Sequence, residues 1–202
     1  MPKNDNREYR NMTMEVVRDD NETSIEEKKI VAGYASTFND PYVLYQNDDI
    51  IYTEQIDANA FDNTDMSDVI MQYDHEGRVY ARQSNGTLEI GVDDHGLKVR
   101  ADLSRTEGAR QLYEEIKSGM ITQMSFAFSI AEDEYNKKEH LRTVRKIRKL
   151  YDVSAVSIPA NPGTEISARS YAEGVIEQER LERAAAEERE RKIQILKLRL
   201  SV

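Results

Sequence analysis

Between Gly86 and Leu103 apolar and polar residues alternate on both sides of Asp93-Asp94-His95-Gly96, as Thr87-Leu88-Glu89-Ile90-Gly91-Val92 before it and Leu97-Lys98-Val99-Arg100-Ala101-Asp102-Leu103 after it. A period of two around turn-forming residues specifies a β-hairpin with one buried face. Short runs of similar composition recur along the chain. Met12 to Arg18 and Lys29 to Phe38, split by the polar stretch Asp19 to Lys28, read as two strands and a turn. Val43 to Tyr52 suits a strand, or a surface loop at its polar centre Gln46 to Asp49, and Asp68 to Tyr73 runs apolar into Asp74-His75-Glu76-Gly77. Ile121 to Ala131 has strand composition, Glu132 to His140 reads as a polar turn, and Leu141 to Ile158 as one or two strands ending at Pro159-Ala160-Asn161-Pro162-Gly163. The period changes in Thr106 to Lys117, where Ala109, Leu112, Tyr113 and Ile116 form a helical stripe stopped by Ser118-Gly119. The body is therefore expected to be α+β and β-rich, mainly short antiparallel strands with at least one inserted helix.

From about Ser167 Glu, Arg and Ala dominate, and propensity predicts helix at least to Lys192. Only Leu181 and Ala184 to Ala186 could face a core between Glu177 and Lys192; Leu196 to Val202 alternates and fits a strand or a helix end. The expected organisation is a frayed terminus over 1–11, one domain over 12–170 and a charged helical extension over 171–202. The extension carries seven of the 28 basic and seven of the 38 acidic residues, which leaves 21 basic against 31 acidic upstream. An acidic body repels phosphate backbones, so nucleic acid is not an expected ligand. With no cysteine there is neither a disulfide framework nor cysteine catalysis. No run resembles a signal peptide or a membrane span, and the sequence reads as soluble and cytoplasmic.

Three histidines are present. His95 in the hairpin turn and His140 after Lys-Lys-Glu read as solvated, whereas His75 follows an apolar strand at its exit, where rigid scaffolds present catalytic groups. Ser125, in Met124-Ser125-Phe126-Ala127-Phe128, is either a buried hydroxyl satisfied by a local carbonyl or a nucleophile. No G-x-S-x-G surrounds it, so the α/β-hydrolase elbow is excluded. Asp152 is the one charge in Leu150-Tyr151-Asp152-Val153-Ser154-Ala155-Val156-Ser157-Ile158. A carboxylate there needs a partner: an arginine such as Arg148, or an imidazole whose tautomer it fixes so that the far ring nitrogen can take a serine proton. Asp74 is a rival for that role, although neighbours on a strand point to opposite faces. No H-x-x-x-H pair supports a metal-dependent hydrolase.

Together these segments resemble the prohead maturation proteases of tailed bacteriophages. The likeness rests on the strand into the His loop (Val69 to Gly77), the Gly-Thr-Leu hairpin, the helix ending in Ser-Gly-Met before the serine strand, and Leu-Tyr-Asp-Val-Ser leading to Pro-Ala-Asn-Pro. Gly33-Tyr34-Ala35 and Asn59-Ala60-Phe61 add to it, with Asn59 where members often have glycine. The resemblance implies a small β-barrel wrapped by helices, similar to herpesvirus assemblin, and a serine endopeptidase with His75 as base, Ser125 as nucleophile and Asp152 as orienting acid. It implies no cofactor and cleavage of scaffold segments from the major capsid protein inside the immature procapsid in the host cytoplasm. Self-cleavage goes with it, and self-association of the chain is a separate expectation. Backbone N–H groups of the Pro159 to Gly163 turn are candidate oxyanion donors. The alternative is a non-enzymatic capsid-assembly or scaffold module that binds coat protein, in which Ser125 and Asp152 are structural.

Overall fold

The computed structural model describes residues 7–15, 28–46, 50–157 and 166–200. Ten strands form one mixed sheet: β1 (Glu8–Glu15), β2 (Ile30–Thr37), β3 (Tyr42–Gln46), β4 (Ile51–Ile56), β5 (Ile70–Tyr73), β6 (Glu76–Arg82), β7 (Leu88–Val92), β8 (Gly96–Asp102), β9 (Gln123–Asn136) and β10 (Leu141–Val156). The order in space is β3-β4-β10-β9-β1-β2-β8-β7, and the β5–β6 hairpin branches off β10. Two helices, α1 (Glu107–Lys117) and α2 (Ile166–Leu200), complete the described chain.

The anticipated hairpin is present as β7 and β8, with Val92 opposite Leu97 and the Asp93 carboxylate accepting the turn N–H groups of His95 and Gly96. Gly96 is obligatory because a Cβ there would meet the Ser36 carbonyl oxygen at 1.9 Å. α1 also lies where its apolar stripe predicts. Thr106 caps its first turn by accepting from Ala109 N–H, Ala109, Leu112, Tyr113 and Ile116 are buried, and Gly119 at φ +78° turns the chain toward β9.

Other expectations are corrected. β1 begins at Glu8, inside the segment expected to be frayed, because Arg10 is drawn into a buried ion-pair network. The barrel is not closed: among the described residues no pairing joins β7 to β3. Val43 to Tyr52 contributes to two strands, β3 and β4, and β6 was missed because most of it is exposed and lacks alternation. The polar turn after Ala131 is shorter than expected. β9 and β10 continue as a charged two-stranded ribbon to Asn136 and Leu141, with Lys146 and Arg145 paired to Glu132 and Glu134. The turn Asp19 to Lys28 lies, apart from Lys28, outside the described residues.

β10 organises the sheet. It is a single strand that pairs antiparallel with β9 along its length, and register shifts between Val144 and Asp152 bend it. The bend lets its other edge receive two different parallel partners, β4 against Leu141 to Val144 and β5 against Asp152 to Ala155. Among the described strand pairs these two are parallel and the other seven antiparallel, so the sheet is mainly antiparallel, as expected. The core gathers Met124, Phe126 and Phe128 from β9, Leu150, Val153 and Ala155 from β10, Met71 from β5 and the buried stripe of α1.

A buried polar cluster sits beside that core. Glu54 has no solvent exposure; its carboxylate accepts from Arg10 Nε (2.5 Å), Tyr42 Oη (2.5 Å) and Arg142 Nη1 (3.0 Å). Arg142 also donates to Glu8 and Asp133, and the Tyr171 ring of α2 covers its guanidinium at 3.9 Å. Helix α2 docks further through Glu179, which accepts from Tyr135 Oη, and Glu182, which pairs with Lys137; from Arg183 to Lys197 it is exposed. Its C-terminal turns are helical to Leu200, which settles the strand-or-helix alternative for the residues up to that point.

Burial alone would raise the Glu54 pKa, but Arg10 and Arg142 outweigh it and hold the carboxylate below the usual 4.5. A depressed folded pKa contributes stability that is present above the unfolded value and lost as pH falls toward the folded one. Thermal melts should therefore show a steep loss of stability below about pH 4.5. Glu54→Gln should destabilise the neutral protein by about 3–5 kcal/mol, by leaving two buried guanidiniums short of a counter-charge, and should flatten the acid limb.

Truncation after Arg183 should leave the melting temperature nearly unchanged, because the residues removed bury little. Truncation after Ser170 uncovers Arg142 and should cost about 1–3 kcal/mol by the same measurement.

Candidate active site

His75 is presented by a tight turn. Tyr73 pairs with Glu76, so Asp74 and His75 are the two central residues of the β5–β6 hairpin, and both have positive φ, +47° and +58°. Two consecutive left-handed residues define the turn type whose twist matches a hairpin. Asp and His tolerate that region better than most side chains, at a conformational cost that the surroundings must offset. The offset is visible. Asp74 N–H donates to the Ala155 carbonyl (2.9 Å), and the Asp74 carboxylate accepts from both the N–H and the hydroxyl of Ser157 (2.9 Å each), which ties the turn to the end of β10.

Asp74 is therefore occupied with Ser157, and the residue facing His75 is Asp152. His75 Nδ1 lies 2.6 Å from Asp152 Oδ1. An ionised carboxylate only accepts, so a neutral ring in this contact donates from Nδ1–H and leaves its lone pair on Nε2. The same Asp152 oxygen accepts from Ser154 Oγ at 2.8 Å. Asp152 is 3% exposed and the His75 side chain 15%, with the Tyr9 ring of β1 meeting the imidazole edge-on at 4.5 Å between centroids. Arg148, the other partner considered for Asp152, is exposed.

Ser125 is buried in β9, directly opposite Ser154 in the β9–β10 ladder. Opposed residues share a face, as do residues two apart on one strand, so Ser125, Ser154 and Asp152 lie on the same face of the sheet. Neither Ser125 Oγ nor His75 Nε2 has a hydrogen-bond partner although both atoms are buried. Buried hydroxyls and ring nitrogens are normally satisfied, so both atoms call for an explanation, and no hydrogen bond joins the two residues. The local-carbonyl alternative for Ser125 is absent from its contacts.

His95 is exposed, as expected, with Tyr34 packed edge-on to it. His140 is not simply solvated. It contacts Tyr135 Oη at 3.0 Å and packs on Tyr52, a cluster assembled by the β9–β10 turn and α2 that no local pattern discloses. No group of three or more potential metal ligands occurs among the described residues. The Pro159 to Gly163 turn, the expected source of oxyanion donors, lies outside the described residues.

His75 and Asp152 are joined by a hydrogen bond and Ser125 shares a sheet face with Asp152; a hydroxyl, an imidazole and a carboxylate are the residue types that a serine hydrolase uses. The family model of the caudovirus prohead serine proteases matches residues 14–177. The chain belongs to that family. It is 29% identical over 147 residues to the prohead protease of Enterobacteria phage HK97, an alignment covering 72% of this chain and 62% of that relative. The structure also resembles that of the bacteriophage T4 capsid assembly protease, with a TM-score of 0.47 and 12% identity over 76% of this chain and 98% of the other.

The bond to Asp152 makes a spectroscopic prediction. Nitrogen-15 shifts of the neutral His75 ring should report the Nδ1–H tautomer in the wild type. They should move toward the Nε2–H tautomer in Asp152→Asn, whose amide can donate to Nδ1, while Asp74→Asn leaves the tautomer as it was.

Proposed function

We propose that the chain is a serine endopeptidase of phage capsid maturation, with Ser125 as nucleophile, His75 as general base and Asp152 as the orienting carboxylate. The supporting observation is that Asp152 holds the near nitrogen of His75 while the far nitrogen and the Ser125 hydroxyl are both buried and unpaired. Ser125 Oγ attacks the scissile carbonyl carbon as its proton passes to His75 Nε2, and Asp152 stabilises the resulting imidazolium. His75 then protonates the leaving amine, and a water molecule, deprotonated by the same nitrogen, hydrolyses the acyl-enzyme. No cofactor enters this sequence. The substrates are scaffold segments of the major capsid protein, cut inside the procapsid in the host cytoplasm, and the chain's own peptide bonds. Family membership supports this substrate class.

Co-expression with the coat protein encoded beside it, followed by mass measurement of the products, tests the reading. Wild type should release a defined segment. Ser125→Ala and His75→Ala should each lower kcat by roughly 10⁴-fold or more, with similar losses because the two act as one unit. Normal turnover by either folded variant overturns the assignment. Asp152→Asn should reduce kcat by up to about 10⁴-fold with KM little changed, and a wild-type rate from it with collapse in Asp74→Asn would transfer the role to Asp74.

A further inference from the structure

A cleft of about 450 Å³ opens at the end of the sheet that carries the His75 turn, within the range of about 300–1,000 Å³ typical of small-ligand sites. Its walls are Tyr73, Tyr80, Glu115, Met120, Ile121 and Ser157. Three of these are joined to the candidate site by chain or by hydrogen bond. Tyr73 lies two residues before His75, Ser157 is clipped to the neighbouring Asp74, and Ile121 leads into β9, four residues before Ser125. The cleft and the paired groups thus share one end of the sheet, where β5 and β10 finish and β9 begins.

The lining selects an occupant. Two phenol rings, a methionine and an isoleucine suit an aliphatic stem, and the rings offer faces to a cation. Glu115 is the one charged residue of the lining; it projects exposed from α1, and no ion pair or side-chain hydrogen bond engages it among the described contacts. Met120 is 76% exposed, the most exposed large apolar side chain among the described residues, although its backbone is fixed by the end of α1. The acidic excess of residues 1–170 favours the approach of a positively charged segment.

We infer that this cleft is a specificity subsite which binds a lysine or arginine side chain of the peptide substrate, its stem between Tyr73, Tyr80 and Met120 and its cationic head on Glu115. The inference rests on the endopeptidase reading and names the substrate feature that reading leaves open.

Two measurements on the full chain separate the two claims. Cleavage profiling with a peptide mixture should show lysine and arginine enriched at one fixed position relative to the cut. In Glu115→Lys the enrichment should disappear and kcat/KM for a lysine peptide should fall about five- to tenfold, while an uncharged peptide is cut as before. A profile without basic enrichment, or one that Glu115→Lys leaves unchanged, overturns the subsite and leaves the endopeptidase reading standing. In Ser125→Ala, Ala-Ala-Lys-Ala-Ala should shift the Met120 methyl resonance and its glutamate counterpart should not; equal shifts, or none, also overturn the subsite. Persistent cleavage by Ser125→Ala with a lysine-specific Met120 shift would instead remove the nucleophile assignment and retain the cleft.

Discussion

Glu54 is sealed from solvent and remains ionised because two guanidiniums reach it from different strands. Arg10 comes from β1 and Arg142 from β10, Glu54 itself is on β4, and Tyr171 closes over the cluster from α2. Removing any one charge would leave its buried partners with fewer counter-charges, so the cluster favours a narrow set of arrangements of these four elements. Those elements include both the strand bearing Asp152 and the strand whose Tyr9 ring braces His75. The polar cluster thus acts at a distance on the site: it places β1 on one edge of β9 while β10 occupies the other.

Within that frame the local devices are ordinary. A two-residue turn with positive φ presents His75 at a defined angle, and Asp74, the rival for the imidazole, is engaged by Ser157. The bend in β10 turns one strand into an acceptor for two parallel partners and brings β5, and with it His75, alongside Asp152. Ser154 adds a second donor to the same carboxylate oxygen, so Asp152 is oriented from two sides.

Much of this could be read from residues alone where the signal was local. The β7–β8 hairpin, the stripe and caps of α1 and the isolated charge at Asp152 each occupy one short window, where period, turn chemistry and the cost of a lone buried carboxylate act directly. The buried cluster was not read, because its members are separated by up to 134 residues and Arg142 sits in a basic stretch that looks solvated. One clue was available: Tyr52, Glu54 and Ile56 alternate as the buried set of β4, which puts a carboxylate at an apolar position. The parallel pairings of β10 were equally hidden, since a 16-residue strand serving two partners has no periodic signature of its own. The open sheet, where a barrel was expected, is a matter of which edges meet, a property that no single segment carries.

The position of β10 near the middle of the sheet also has a temporal side. Among the described strands it is the last to leave the ribosome, yet β4, β5 and β9 all pair with it. Until Val156 has emerged, β4 and β9 each lack a neighbour, β5 has only its hairpin partner, and His75 has no carboxylate to orient it. Contacts of such long sequence separation form late and together. Ser125, His75 and Asp152 therefore come into register only after nearly all of the body has been synthesised, so a partly made chain lacks the bond between His75 and Asp152.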